Sequence, residues 1–167
     1  QCFPRYTYTA DGARQDNITD WTVEQFQAHY PNLAGFQDLS GLKDEIFAYV
    51  YAVLHDPAYR EKYEINLKRE FPRIPFYDDF AQWAAWGQQL LDLHMDFETV
   101  APYPLRRVDL PYDPDRPPKP KLKADKAAGE LVLDTVTTLS GVPPEAWEYR
   151  LGNRTAIEWV LEYHKER

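Results

Sequence analysis

The stretch from Ser40 to His55 constrains the fold more than any other. Ile46, Phe47, Val50, Val53 and Leu54 fill one side of a helix of that span, while Tyr49 and Tyr51 carry apolar surface almost all round it. A helix greasy on most faces must sit in the middle of a domain, so other elements have to be laid against it. Asp56-Pro57 punctuates it, because proline suits a first helical turn. Ala58 to Phe71 is then expected to continue as a second helix, with Tyr59, Tyr63 and Leu67 spaced by four, to complete a helical hairpin. In Phe71-Pro72-Arg73-Ile74-Pro75-Phe76 each proline forces its predecessor into an extended conformation, so this piece crosses over as a stiff strap. Asp78 or Asp79 caps a third helix to about Glu98, in which Phe80, Trp83, Ala84, Gly87, Leu90, Leu91 and His94 recur at three and four.

The remaining elements are shorter. Cys2 to Thr9 reads as one strand ending near the turn signal Asp11-Gly12. Asp20 to Gln25 opens a short helix closed by Pro31, and Asn32 to Ser40 is a loop. From Val100 to Ala128 prolines alternate with charges and Lys119, Lys121, Lys123 and Lys126 cluster, a composition from which no core can be made. Leu131 to Thr137 is β-branched and bounded by Gly129 and Gly141, hence a strand. Pro143-Pro144-Glu145 opens a helical turn, and Thr155 with Glu158 forms a capping box ahead of Ile157, Val160, Leu161 and His164. The expectation is one mostly helical α+β domain over residues 1–167. It has a helical core at about 20–98, a Pro- and Lys-rich connection at about 100–128, and a strand and C-terminal helix at about 129–167, with short strands at the periphery.

A length of 167 residues with 44% hydrophobic and 15% aromatic content suits a folded domain that needs no disulfide or metal staple. The longest apolar run, Ile46 to Leu54, is far short of the roughly 20 residues that cross a bilayer, so no membrane partner is expected. The single Cys2 excludes an internal disulfide framework and fits a reducing cytoplasm. The chain starts at Gln1, which suggests a piece of a longer polypeptide. The triplets Asn17-Ile18-Thr19 and Asn153-Arg154-Thr155 match a glycosylation pattern that is frequent by chance.

Catalytic signals are weak. His29, His55, His94 and His164 include no pair at metal-ligand spacing, and packed or solvated imidazoles are the better reading. Seven glycines form no phosphate loop, dinucleotide pattern or nucleophile elbow. Asp78-Asp79 is explained by helix capping and Asp113-x-Asp115 by a Pro-rich turn. Asp109-Leu110-Pro111-Tyr112 approaches the Asp-Pro-Pro-Tyr motif of amino-methyltransferases, but it departs at the second position, lies in a linker, and follows no glycine-rich cofactor loop. Trp83, Trp86, Tyr49, Tyr51, Tyr59 and Tyr63 stand at helical spacing and form a core more simply than a base-stacking surface.

Charge is uneven. With 27 acidic and 19 basic residues the net charge is -8, which argues against a non-specific nucleic-acid binder. The basic residues nevertheless gather in two places, Arg60 to Arg73 and the Pro-rich segment with Arg106, Arg107 and Arg116. Such faces suit either a solvated surface or DNA contact when other domains supply most of the phosphate attraction.

Ile46-Phe47-Ala48-Tyr49-Val50-Tyr51-Ala52-Val53-Leu54-His55-Asp56-Pro57-Ala58-Tyr59-Arg60, followed by Phe71-Pro72-Arg73-Ile74-Pro75, strongly resembles the carboxy-terminal specificity domain of type ISP restriction-modification enzymes. So do Pro143-Pro144-Glu145-Ala146-Trp147 and Tyr149-Arg150-Leu151-Gly152-Asn153-Arg154-Thr155-Ala156-Ile157-Glu158-Trp159-Val160. The resemblance implies a target recognition domain taken from a long polypeptide that joins nuclease, helicase-like ATPase and adenine methyltransferase. This chain would then have no catalytic residue or cofactor of its own, with S-adenosylmethionine, ATP and Mg belonging to the other domains. Its partners would be double-stranded DNA and the methyltransferase domain of the same polypeptide. Side chains suited to guanine edges, adenine edges or phosphates are Arg60, Lys68, Arg69, Arg73, Arg106, Arg107, Lys121, Lys123, Asn153 and Arg154. An acidic net charge is a departure for a DNA reader, so a module that docks the recognition element onto the methyltransferase without reading bases stands as the alternative. A free-standing enzyme has least support.

Overall fold

Helix α2 (Leu39–His55) is the centre of the first of two compact units, Gln1–Val100 and Ala101–Arg167, into which the chain divides where one domain is expected. The computed structural model describes residues 3–111 and 113–165. Asp38 caps α2 by accepting the Gly41 N–H at 3.0 Å, and Leu42, Ile46, Tyr49 and Val53, spaced four, three and four, are fully buried. Burial of each such aliphatic side chain contributes about 1.5–3 kcal/mol. Helix α5 (Phe80–Met95) packs along α2, started by Asp79, whose side chain accepts the Gln82 N–H at 3.2 Å. The approach is close because the facing residues are small. A Cβ on Gly87 would lie 1.7 Å from the Ala48 carbonyl oxygen. Helix α1 (Asp20–His29) closes the cluster with Val23 and Phe26, and its cap is Thr19, one residue before the expected start.

The expected helix from Ala58 to Phe71 is instead two short pieces, α3 (Pro57–Lys62) and α4 (Glu64–Leu67). Asp56 caps α3 through the Ala58 and Tyr59 N–H groups, both at 3.1 Å. Beyond Tyr59 no residue of α4 is fully buried, Tyr63 and Leu67 packing only partly against the core, so little tertiary packing sustains the helix, and the principal partner of α2 is α5. The strap from Phe71 to Tyr77 is extended, as its prolines require. Its carbonyls at 73, 75 and 77 accept hydrogen bonds from the hydroxyls of Tyr59 (3.0 Å), Tyr49 (2.8 Å) and Tyr30 (2.6 Å). The period of two is that of an extended chain, and the three tyrosines supply the donors that a neighbouring strand would otherwise give. Tyr49 also accepts the Tyr77 N–H at 2.7 Å, and burial raises the Tyr30 and Tyr59 hydroxyl pKa values.

The first strand is shorter than expected and has a partner. β1 (Tyr6–Tyr8) pairs antiparallel with β2 (Arg14–Asp16), while Cys2 lies outside the described residues. An ion network ties this hairpin down. Arg5 bonds Asp16 at 2.7 Å and Asp44 at 2.6 Å, and the buried Lys43 reaches Asp16 at 3.2 Å and Asp20 at 2.7 Å. Hydrogen bonding from Arg5 draws the Asp16 carboxyl below its usual range.

In the second unit β3 (Arg106–Asp109), β4 (Pro120–Asp125), β5 (Glu130–Asp134) and β6 (Thr137–Ser140) form an antiparallel sheet in the order β3-β6-β5-β4. Two expectations change. The Pro-rich segment supplies both edge strands, because an edge needs ladder bonds on one side only and Pro120 stands first in its strand. The single strand at 131–137 is a tight hairpin, turned where Asp134 accepts the Val136 and Thr137 N–H groups at 2.7 and 2.6 Å. A 3₁₀ turn at Pro144–Trp147 follows, then the hairpin β7 (Arg150–Leu151) and β8 (Arg154–Thr155), then α6 (Ala156–Tyr163) with the expected capping box of Thr155 and Glu158. Val142, Trp147 and Leu161 are the buried apolar side chains of this unit among the described residues. No helix among the described residues is long and apolar enough to cross a membrane.

Candidate nucleic-acid interface

All ten side chains singled out in the sequence are exposed, and the two units divide them. Arg60 on α3, Lys68 and Arg69 after α4, and Arg73 in the strap belong to the first unit. They lie close together in the chain, and Arg73 among them lines a groove of about 450 Å³ with Tyr59, Tyr63, Leu67, Phe71 and Ile74. Two of the four are answered locally, while Arg60 and Arg69 have no ion pair among the described residues. Lys68 pairs with Glu64 at 2.6 Å, drawing that carboxyl down, and Arg73 lies 3.5 Å from Glu70. Surface pairs of this kind contribute about 0–1 kcal/mol, so they add little stability.

The other six lie in the second unit. Arg106 and Arg107 stand on edge strand β3, with the Arg106 Nε donating to Ser140 Oγ at 3.3 Å and Arg107 paired to Asp109 at 2.9 Å. Asp109 also accepts the Thr137 hydroxyl at 2.9 Å, and these two bonds lower its pKa. It is the first residue of the methyltransferase-like motif, and its side chain is engaged within the sheet. Tyr112 of that motif lies outside the described residues. Lys121 and Lys123 stand on the opposite edge, β4, three inter-strand spacings or about 14 Å from β3. The sheet therefore has basic residues on both edges.

Asn153 sits at the tip of the β7–β8 hairpin, where the Arg150 guanidinium holds its carbonyl at 2.6 Å and leaves its carboxamide exposed. Arg154 lies 5.3 Å over the Trp159 ring and 3.8 Å from Glu162. A cleft of about 240 Å³ between β4 and α6 brings Lys123 and Arg154 together with Lys165, Glu158 and Glu162. Glu162 pairs with Lys165 at 2.9 Å and with Arg154, which leaves Lys123 as the cleft's cation without an anionic partner among the described residues.

Three further residues belong with this set. Arg150 and Lys165 are missed because their places at a hairpin and beside β4 follow from packing alone. Lys119 carries a readable signal, since it alternates with Lys121 and Lys123. The aromatic residues do form a core in part: Tyr49 and Tyr59 are buried, Trp83 is half-buried and stacked on Tyr77 at 4.6 Å, and Trp86 is exposed. His55 and His94 lie 39 residues apart in the chain, yet their rings meet at 5.4 Å beside Tyr51.

Electrostatics separates the units more sharply than any single contact. Residues 1–100 carry 16 acidic and 8 basic side chains, a net of -8, and residues 101–167 carry 11 of each, a net of zero. The whole excess of negative charge lies in the helical unit. The sheet-bearing unit opposes a polyanion far less than the overall charge suggests.

Comparison with known proteins agrees with this picture. The family model described as "Type ISP C-terminal specificity domain" matches residues 1–167. A cryo-EM structure of a DrdV–DNA complex contains a region 52% identical, with a TM-score of 0.81, that covers 98% of this chain and 17% of that one. A nuclease-deletion mutant of the Type ISP restriction-modification enzyme LlaGI, solved with a DNA substrate mimic, is 29% identical with a TM-score of 0.68, covering 98% and 13%. The ATP-dependent Type ISP enzyme LlaBIII bound to DNA, 21% identical with a TM-score of 0.68 over 97% and 10%, shares the fold. The chain thus spans less than a fifth of each of these structures. No curated protein matches it.

Proposed function

Because the chain belongs to the Type ISP C-terminal specificity domain family, we propose that it recognises double-stranded DNA and gives a restriction-modification enzyme its target sequence. On this reading adenine methylation and ATP-dependent cleavage are the work of other domains of the same polypeptide, which also hold S-adenosylmethionine, ATP and Mg, and the enzyme works in the cytoplasm. The observation that carries the proposal is the match over almost the whole chain to the DrdV region, in a structure that contains DNA. The exposed arginines offer bidentate donors to guanine, and Asn153 at its hairpin tip offers a carboxamide matched to adenine. Each such pair discriminates against a wrong base by about 1–3 kcal/mol.

A second role has its own support in the first unit. Trp86, Leu93, Met95 and Phe97 are exposed on and just beyond α5, within the acidic half of the chain. Apolar surface in an acidic setting suits a protein partner better than DNA, and the methyltransferase domain of the same polypeptide is the partner this reading names. The test is to exchange residues 1–167 for the corresponding region of a family member with a different target and to map the methylated sites. Site choice is expected to move with the exchanged region. Unchanged site choice would overturn the recognition reading and leave the docking role.

A further inference from the structure

Four lysines lie on and beside β4, Lys121 and Lys123 within it and Lys119 and Lys126 flanking it, in a unit where Arg107, Arg116, Arg154 and Lys165 are each paired to a carboxylate. Lys119, Lys121, Lys123 and Lys126 are exposed, and none has an anionic partner among the described residues. Carboxylates nearby are already engaged: Asp109 with Arg107 and Thr137, Asp113 with Arg116, Asp134 and Asp125 with backbone N–H groups, and Glu162 with Arg154 and Lys165. Lys119 is held in line with the strand, its N–H donating to Thr135 Oγ1 and its carbonyl accepting the Thr135 N–H, both at 3.1 Å. Within β4 a bulge sets Lys121 and Leu122 against the single residue Leu133, and Leu122 adopts a φ of 36°, a conformation a side chain rarely takes. A bulge bends its strand and re-aims the side chains beside it.

We propose that this edge is a rail for the sugar-phosphate backbone of duplex DNA, with Lys119, Lys121 and Lys123 each meeting a different phosphate. The proposal rests on the DNA-recognition reading and adds to it a contact that holds the duplex without reading its sequence. Alternate residues of a strand stand about 6.7 Å apart, which lets Lys119 and Lys121 reach neighbouring phosphates of one DNA strand, while the bulge turns the strand before Lys123. A lysine ammonium is a flexible point charge and reads no base edge on its own, which suits it to this task. Base reading then falls to narrower elements such as the β7–β8 tip. The competing explanation is protective, since lysine, proline and a bulge together also keep an edge strand from pairing with another chain.

Salt dependence separates the two. The triple variant Lys119→Gln, Lys121→Gln, Lys123→Gln, made in the full-length protein, is titrated against target and unrelated duplexes at several salt concentrations. The slope of log affinity against log salt is expected to flatten by about 2.7, at ~0.9 per phosphate contact, and equally for both duplexes. The matching triple Lys→Arg variant keeps the original slope. An unchanged slope in a Gln variant that melts like the parent overturns the rail and leaves edge protection, with the recognition reading intact. Wild-type protein that binds no duplex at low salt overturns both.

Discussion

The two units solve the problem of a small chain in opposite ways. The first builds an eleven-residue buried cluster around α2 and carries all the net negative charge. The second has Val142, Trp147 and Leu161 as its buried apolar side chains among the described residues, has no net charge, and presents basic side chains on both edges of its sheet. A unit of 67 residues with so few buried side chains has a thin stability margin, because small domains bury a smaller share of their surface. On the proposed reading, the helices supply rigidity and the sheet supplies contact. Substitutions chosen unit by unit can break that division.

The largest effect is expected at Gly87, where α2 and α5 touch through backbone. Gly87→Ala gains about 1 kcal/mol of helix propensity. It also places a methyl group 1.7 Å from the Ala48 carbonyl, a contact neither backbone can relieve without separating the helices. Overpacking of that severity costs on the order of 3 kcal/mol or more, so the overlap wins. The net loss should lower the melting temperature by about 10 °C, read by calorimetry. An unchanged melting temperature would mean that the packing of the first unit is not what sets its stability.

Next comes the tyrosine ladder. Tyr49→Phe removes the hydroxyl that donates to the Pro75 carbonyl and accepts the Tyr77 N–H, and so strands two backbone groups in the strap. Both groups are only part-buried, so the low end of about 1–3 kcal/mol per unsatisfied group applies and the expected cost is about 2 kcal/mol. Tyr59→Phe strands only the Arg73 carbonyl and should cost about half as much. Urea denaturation of the two variants measures the ratio. Equal losses would show that the second bond of Tyr49 contributes nothing.

This ladder marks the limit of what the sequence could reveal. The strap was legible from Pro72 and Pro75, because a missing N–H and a restricted neighbour are local properties. The helices α2 and α5 were legible from their period, and the capping box of α6 from two residues. The pairing of Tyr30, Tyr49 and Tyr59 with alternate carbonyls was not, since it joins four separate segments. Strands β3 and β4 escaped notice for a related reason: edge strands borrow their apolar neighbours from β5 and β6, so their own composition looks like a linker. Ion pairing was legible only where it is local. Glu64 and Lys68 stand four apart in an expected helix, whereas Arg5 with Asp44 and Lys43 with Asp16 join distant segments. The basic residues could thus be named from the sequence, but the charge left over after pairing could not.

The smallest effect is expected in the second unit, at the start of α6. Thr155 accepts the Glu158 N–H at 3.1 Å, and the Glu158 carboxylate accepts the Thr155 N–H at 2.7 Å. Thr155→Ala should cost about 1 kcal/mol at neutral pH, the usual worth of an N-cap. The Thr155 backbone N–H holds the Glu158 pKa below its usual value, so the carboxylate's contribution is present above the unfolded-state pKa. It fades as pH falls through the lower folded-state value. The variant keeps that backbone N–H and loses the hydroxyl bond to the same carboxylate at 3.0 Å, so only this second, smaller part makes the gap between variant and parent narrow in acid. Amide hydrogen exchange can locate the loss as well as size it. Faster exchange confined to α6 and the sheet is expected, because the buried cluster of α1, α2 and α5 lies wholly in the other unit. Faster exchange spread through α2 and α5 would show that the two units unfold as one body, and the division of labour between them would have to be abandoned.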